Sequence, residues 1–320
     1  MFNRYLTVHR AGIQMTVFLA LLSMSWLVGS YAVNALHESF LGFNPSQPET
    51  ISQIKPNMVN TLKALEVLGL FVFLGLPSFL FAYLAYPKPT SYLGLQKTNV
   101  PLLLVLGGIV MVSAMPFTAW LELINGRLPG TEGMKAFSKQ YEQLSEMMLS
   151  GNTMGDLVLN LVVIAVTPAL LEEIFFRGCL QQILLRWFNN KPLMPLLITA
   201  VVFSLFHFDM SGFIPRTFLG LLLGLGYYYS GSLWVPIIMH FLNNAVAVVG
   251  YFLYKQHYIS VNLMEKAEHI PFVWIFSSLS AMLFFGWLFF RNGQAQLAWE
   301  YNDDIPSPQQ PTTAPNDNTF

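Results

Sequence analysis

The 320 residues are 54% hydrophobic and only 10% charged, with a net charge of −1 and a mean hydropathy of +0.50. Soluble globular domains carry about a quarter of their residues as charged side chains, so this composition excludes an ordinary soluble protein and points to a polytopic membrane protein. One cysteine, Cys179, excludes an internal disulfide framework and any multi-cysteine metal site, and no nucleic acid is expected as a partner.

Apolar runs recur at Ala11 to Leu36, Leu62 to Tyr86, Val100 to Leu121, Leu157 to Phe176, Leu193 to Phe208, Phe213 to Tyr229, Leu233 to Leu253 and Val273 to Phe290. Each lies near the length that crosses about 30 Å of hydrocarbon as a helix, so the expectation is an all-α bundle of about eight transmembrane helices. The first run follows Arg4 and Arg10 and exceeds the roughly 7 to 15 apolar residues of a secretion signal, so it reads as an uncleaved helix. The fifth is short and begins beside Pro195, which predicts a tilted or shortened helix. Lys and Arg divide equally between the two sides of such a bundle; Arg4 and Arg10, with no acid before Glu38, favour both termini in the cytoplasm.

Between the spans, 44–61 and 125–151 are polar and extramembrane. Within the second, Met134, Phe137, Tyr141, Leu144 and Met147 recur at three- or four-residue steps, as in an amphipathic interfacial helix, with a plain connector as the alternative. From Asn292 onward the Pro-rich polar tail cannot bury enough apolar surface to order itself. The expected layout is a membrane domain over 1–291, with its polar motifs at 157–249, and a disordered tail over 292–320. Gly220 and Gly224 have the small-xxx-small spacing of close helix packing.

Ionisable groups inside apolar spans are costly, on the order of 3 kcal/mol each at a helix centre, and mark functional sites by default. Three spans carry them: Glu172-Glu173-Ile-Phe-Phe-Arg177, Phe203-Ser-Leu-Phe-His207 and His240-Phe-Leu-Asn-Asn244. Glu173 and Arg177, four apart, share a helix face and can pair, whereas Glu172 is turned by about 100° and stays free for a cavity. A carboxylate in that position is a candidate general base. The plainer alternative is a helix end at the interface, since Gly178, Gln181 and Gln182 follow at once. His207 could merely cap its helix. His240 and Asn244 share one otherwise apolar face and could donate to an oxyanion or tie helices together, while Asn243 is turned off that face. His9, His37, His257 and His269 are expected at the surface.

Two mechanisms fit this set. Glu172 and His207 could activate a water that attacks a peptide carbonyl, with His240 and Asn244 stabilising the tetrahedral oxyanion. Alternatively His207, His240 and Glu172 could ligate a divalent metal such as zinc. No His-Glu-x-x-His motif is present, which favours the metal-free form.

The segments Thr167–Gly178, Phe203–His207 and Gly231–Asn244, with their EExxxR, FxxxH and HxxxN elements in order, resemble the CPBP intramembrane proteases, which include CAAX prenyl endopeptidases and bacterial Abi proteins. The resemblance implies a multi-spanning helical fold around a cavity open to membrane and water. It implies water activation by Glu172 and His207, oxyanion stabilisation by His240 and Asn244, and support from Glu173 and Arg177. It also implies a membrane-anchored or prenylated peptide substrate and a multi-pass protein in a lipid bilayer, here a bacterial plasma membrane. Family members named metalloproteases keep the metal question open. Two other classes compete with an endopeptidase: a non-catalytic scaffold or bacteriocin-immunity-type binding protein, and a proton-coupled transporter, against which stands the lack of an inverted repeat.

Overall fold

Prolines and small polar residues break up the long apolar rods of this chain, and those breaks fix where the rods meet. A computed structural model describes residues 6, 9–45, 53–95, 101–129, 131–262 and 269–293. Among them the regular elements are all helical: α1 (Ala11–Leu41), α2 (Pro56–Ala85), α3 (Pro89–Tyr92), α4 (Leu102–Gly126), α5 (Glu132–Met148), α6 (Met154–Trp187), α7 (Leu193–Leu205), α8 (Phe213–Ser230), α9 (Trp234–Lys255) and α10 (Phe272–Asn292). The tail expected to be disordered lies almost entirely outside the described residues.

Six helices, α1, α2, α4, α6, α9 and α10, are long and apolar enough to cross a membrane. The expectation of about eight includes two further helices, α7 and α8, that fall short of this length or hydropathy among the described residues. At 13 residues, α7 extends only about 20 Å, and the 18 residues of α8 are diluted by Arg216, three glycines and a tyrosine triplet. These two shorter helices pack against each other. Gly220 is what allows it: a Cβ there would lie 3.1 Å from the Ala200 Cα and 3.2 Å from the Phe203 ring. Gly220→Val should force α8 off α7 and lower stability by about 1–3 kcal/mol, read as a fall in the thermal midpoint.

Proline breaks are filled from neighbouring helices, as they must be where no water can serve the freed backbone. Pro116 interrupts α4, and the Ser278 hydroxyl of α10 donates to the Ser113 carbonyl (2.6 Å) while accepting from the Phe117 N–H (3.2 Å). In α6, a π-helical stretch, Leu161–Val166, immediately precedes Thr167-Pro168, and a second one spans Ile174–Gln181. Such wider turns displace the helix register and are frequent at functional sites.

The core is aromatic where α1, α2, α6 and α7 converge: Phe18, Phe81, Phe175, Phe176 and Phe203 are buried in one cluster. Large apolar side chains such as Leu27, Tyr31, Val105, Phe276 and Leu283 lie on the outer faces, where lipid would cover them. The helix expected within 125–151, on Met134 to Met147, is present as α5. Its Leu144 and Met148 pack on Leu41, Leu62 and Leu65, while Phe137 is exposed.

Candidate functional site

Glu172 and Glu173 sit at the end of the α-helical turn that follows Pro168, and Arg177 lies in the π-helical stretch behind them. The Arg177 guanidinium donates to Glu173 Oε1 at 2.7 Å and to the Gly220 carbonyl at 2.8 Å, and it lies 4.8 Å over the Phe203 ring. Both members of this ion pair are 0% exposed. The helix does not end here: Gln181 and Gln182 are buried, donating respectively to the Gly224 carbonyl and to the Tyr92 carbonyl and Tyr227 hydroxyl. The interfacial helix-end alternative is thereby overturned.

His240 completes a relay across helices. Its Nδ1 is 2.8 Å from Glu173 Oε1, and its Nε2 is 4.0 Å from Glu172 Oε2. A carboxylate can only accept, so Nδ1 carries the proton and Nε2 presents a lone pair or, in the imidazolium, a second N–H. Glu172 is 12% exposed in its side chain, and its buried Oε2 has no hydrogen-bond partner.

His207 does cap its helix, with Nδ1 2.9 Å from the Phe203 carbonyl. That bond has a chemical consequence: because a carbonyl only accepts, it fixes the proton on Nδ1 and leaves Nε2 as an acceptor. The turn that holds His207 is braced by Asp209, which accepts from the Ser138 hydroxyl of α5 (2.8 Å), the Ser211 hydroxyl (2.9 Å) and Arg216 (2.9 Å). Burial would raise the Asp209 pKa, but these donors outweigh it and hold the carboxyl down at about 2. An ionised, braced Asp209 therefore stabilises the fold above the ordinary carboxylate range near 3.9, and that contribution is lost as pH falls toward about 2. Asp209→Asn should cost on the order of 1–2 kcal/mol at neutral pH, with the deficit about halved near pH 3. Thermal midpoints of both proteins at the two pH values test this.

Asn244 donates from Nδ2 to the Ile164 carbonyl at 3.1 Å. In an α-helix that carbonyl's partner would be residue 168, a proline with no N–H, so Asn244 fills the break in α6 just as Ser278 does in α4. Asn243 donates to Asn244 Oδ1 at 3.1 Å, which fixes the orientation of that amide.

Glu172, His207, His240, Asn243 and Asn244 all line one cavity of about 880 Å³, together with Phe176 and Phe203. Glu173 and Arg177 stand behind this wall and are not among the lining residues. Asn243, expected to be turned away, is on the cavity. So are His37, expected at the surface but only 4% exposed, and Glu66 and Arg216, which sequence reasoning did not single out. His257 and His269 are exposed as expected, and His9 is partly buried. Among the described residues no three His, Cys, Asp or Glu groups come together in an arrangement that could hold a metal ion. The set Glu172, His207 and His240 thus does not fit as a three-ligand site.

Residues 154–246 match the family model of the Rce1-like proteins, described as type II CAAX prenyl endopeptidase Rce1-like. Over this stretch the chain is similar to the Rce1-like family. No curated protein and no solved structure matches the chain. The Rce1-like segment takes in α6 to α8 and the polar half of α9, the elements that contribute the five cavity residues above. The cavity walls from α1, α2, α4 and α5 lie outside it.

Proposed function

We propose that this integral membrane protein is an intramembrane endopeptidase that hydrolyses a membrane-anchored or lipidated peptide, and that it resides in a bacterial plasma membrane. The observation that carries the reading is the meeting of Glu172 of α6, His207 of the turn after α7, and His240 and Asn244 of α9 on one cavity whose remaining lining is largely apolar. The Rce1-like match supports the same class of reaction.

Glu172 takes a proton from a water held between its carboxylate and the His207 Nε2, and the resulting hydroxide adds to the scissile carbonyl carbon. The tetrahedral oxyanion accepts hydrogen bonds from the second N–H of the Asn244 amide and from His240. His240 serves only as the imidazolium, because its neutral form spends its one proton on Glu173. As the C–N bond breaks, the proton held at Glu172 passes to the departing amine, so protons balance over the cycle. Glu173 and Arg177 touch no substrate; they orient the His240 ring.

The test is cleavage of a panel of lipidated and transmembrane peptides in proteoliposomes. The wild type should cut a subset and Glu172→Ala none. Equal cleavage by both proteins would remove the proposal, and peptide binding without any cleavage by the wild type would favour a non-catalytic binding protein.

A further inference from the structure

The cavity has a second polar wall that the proposed chemistry does not use. Trp26, Ser30, Asn34 and His37 recur along one face of α1 and line it, and Glu66 of α2 lines it beside them. His37 is 4% exposed, and neither ring nitrogen has a hydrogen-bond partner. The buried Trp26 indole N–H also lacks one. Glu66 shows substantial surface, but that surface faces the cavity. No side chain of either charge acts on its carboxylate among the described residues.

Unsatisfied polar groups at membrane depth cost free energy, and a carboxylate costs most unless a cation or several N–H donors meet it. Here the protein supplies neither. The acceptors of this wall are both Glu66 oxygens, the Asn34 carbonyl and one nitrogen of a neutral His37, its donors are the Trp26 indole N–H, the Asn34 amide and the other His37 nitrogen, and the Glu66 carboxylate gives it its negative charge. The Trp26 ring adds a face suited to a cation. A donor-rich, positively charged group matches this set, and an anionic or purely apolar group does not. The volume of about 880 Å³ is enough for a peptide to reach this wall and the Glu172 wall at once.

We infer that Glu66 and His37 form a substrate subsite that takes the ammonium or guanidinium of a basic residue near the scissile bond. The subsite rests on the peptidase reading for the identity of its occupant. It makes the α1–α2 wall, which lies outside the Rce1-like segment, the part of the protein that selects among lipidated peptides.

The experiment walks one Lys through each position of a short acylated, internally quenched peptide, with Gln at the same position as the matched control. Wild-type protein in proteoliposomes should favour Lys over Gln at one position by about 10-fold or more in kcat/KM, mostly through KM. Glu66→Gln, which keeps the shape and removes the charge, should bring that ratio close to 1, and His37→Ala should lower it. Anisotropy measurements of the same peptides on Glu172→Gln protein should give the same ratio in Kd. If the wild type cleaves nothing, the peptidase reading fails, and the subsite is judged by those Kd ratios on wild type and Glu66→Gln. No Lys preference in the wild type, or an unchanged preference in Glu66→Gln protein with a wild-type thermal midpoint, overturns the subsite.

Discussion

Glu172→Gln should yield a folded protein that binds peptide normally and hydrolyses it about 10³-fold more slowly, the loss appearing in kcat rather than KM. Gln has nearly the shape of Glu, so cavity volume and packing survive. What disappears is the carboxylate that takes the proton from a water held beside the His207 Nε2 acceptor, while the His240 imidazolium keeps its role as a donor. Glu172 Oε2 has no protein partner, so the substitution breaks no hydrogen bond at that atom and stability should change little. Single-turnover kinetics in proteoliposomes separate the outcomes. A rise in KM with kcat intact would mean that Glu172 binds rather than activates, and residual activity within about 10-fold of wild type would hand the base role to His207. Asn244→Ala should also slow turnover, by about 10²-fold. It removes the partner of the Ile164 carbonyl as well, so some stability should be lost with it, unlike at Glu172.

The polar motifs were legible in the sequence because each is local. The spacing of Glu173 and Arg177 fixes a shared face, and the charges stand out against apolar neighbours. What was not legible depends on contacts between distant segments. Nothing in the spacing joins His37 to Glu66 or either of them to Glu172, and a histidine near the end of an apolar run looks like an interfacial one. Asn243, turned off the His240–Asn244 face, reaches the cavity all the same, because a face drawn on a straight helix says nothing of how far a neighbouring cavity extends around it. The π-helical stretches of α6 were equally hidden, since apolar periodicity assumes one repeat throughout. How α7 and α8 pack was hidden for another reason. Short or glycine-rich helices are tolerated where packing against each other and α4 replaces lipid, and hydropathy does not record that.

The ion pair behind the cavity wall should be the most stability-sensitive feature of the site. In Arg177→Met, Glu173 keeps only His240 as a partner at 0% exposure, and its Oε2 is already without one. Leaving a buried charge uncompensated costs about 3–5 kcal/mol, and Glu173→Leu should cost a similar amount by stranding the Arg177 cation against Phe203. Replacing both partners removes both charges together, so Glu173→Leu/Arg177→Met should recover much of that loss, with a coupling on the order of 2–4 kcal/mol in the double-mutant cycle. Activity should not recover with it. The double variant has no acceptor for the His240 Nδ1 proton, so the ring is free to turn and Nε2 is no longer held toward Glu172. A stable but inactive double variant therefore separates the two roles of Glu173, as charge partner for Arg177 and as orienting acceptor for His240. Should that variant regain activity with its stability, His240 would not depend on Glu173 for its position, and the relay from Arg177 to Glu172 would have no part in the chemistry.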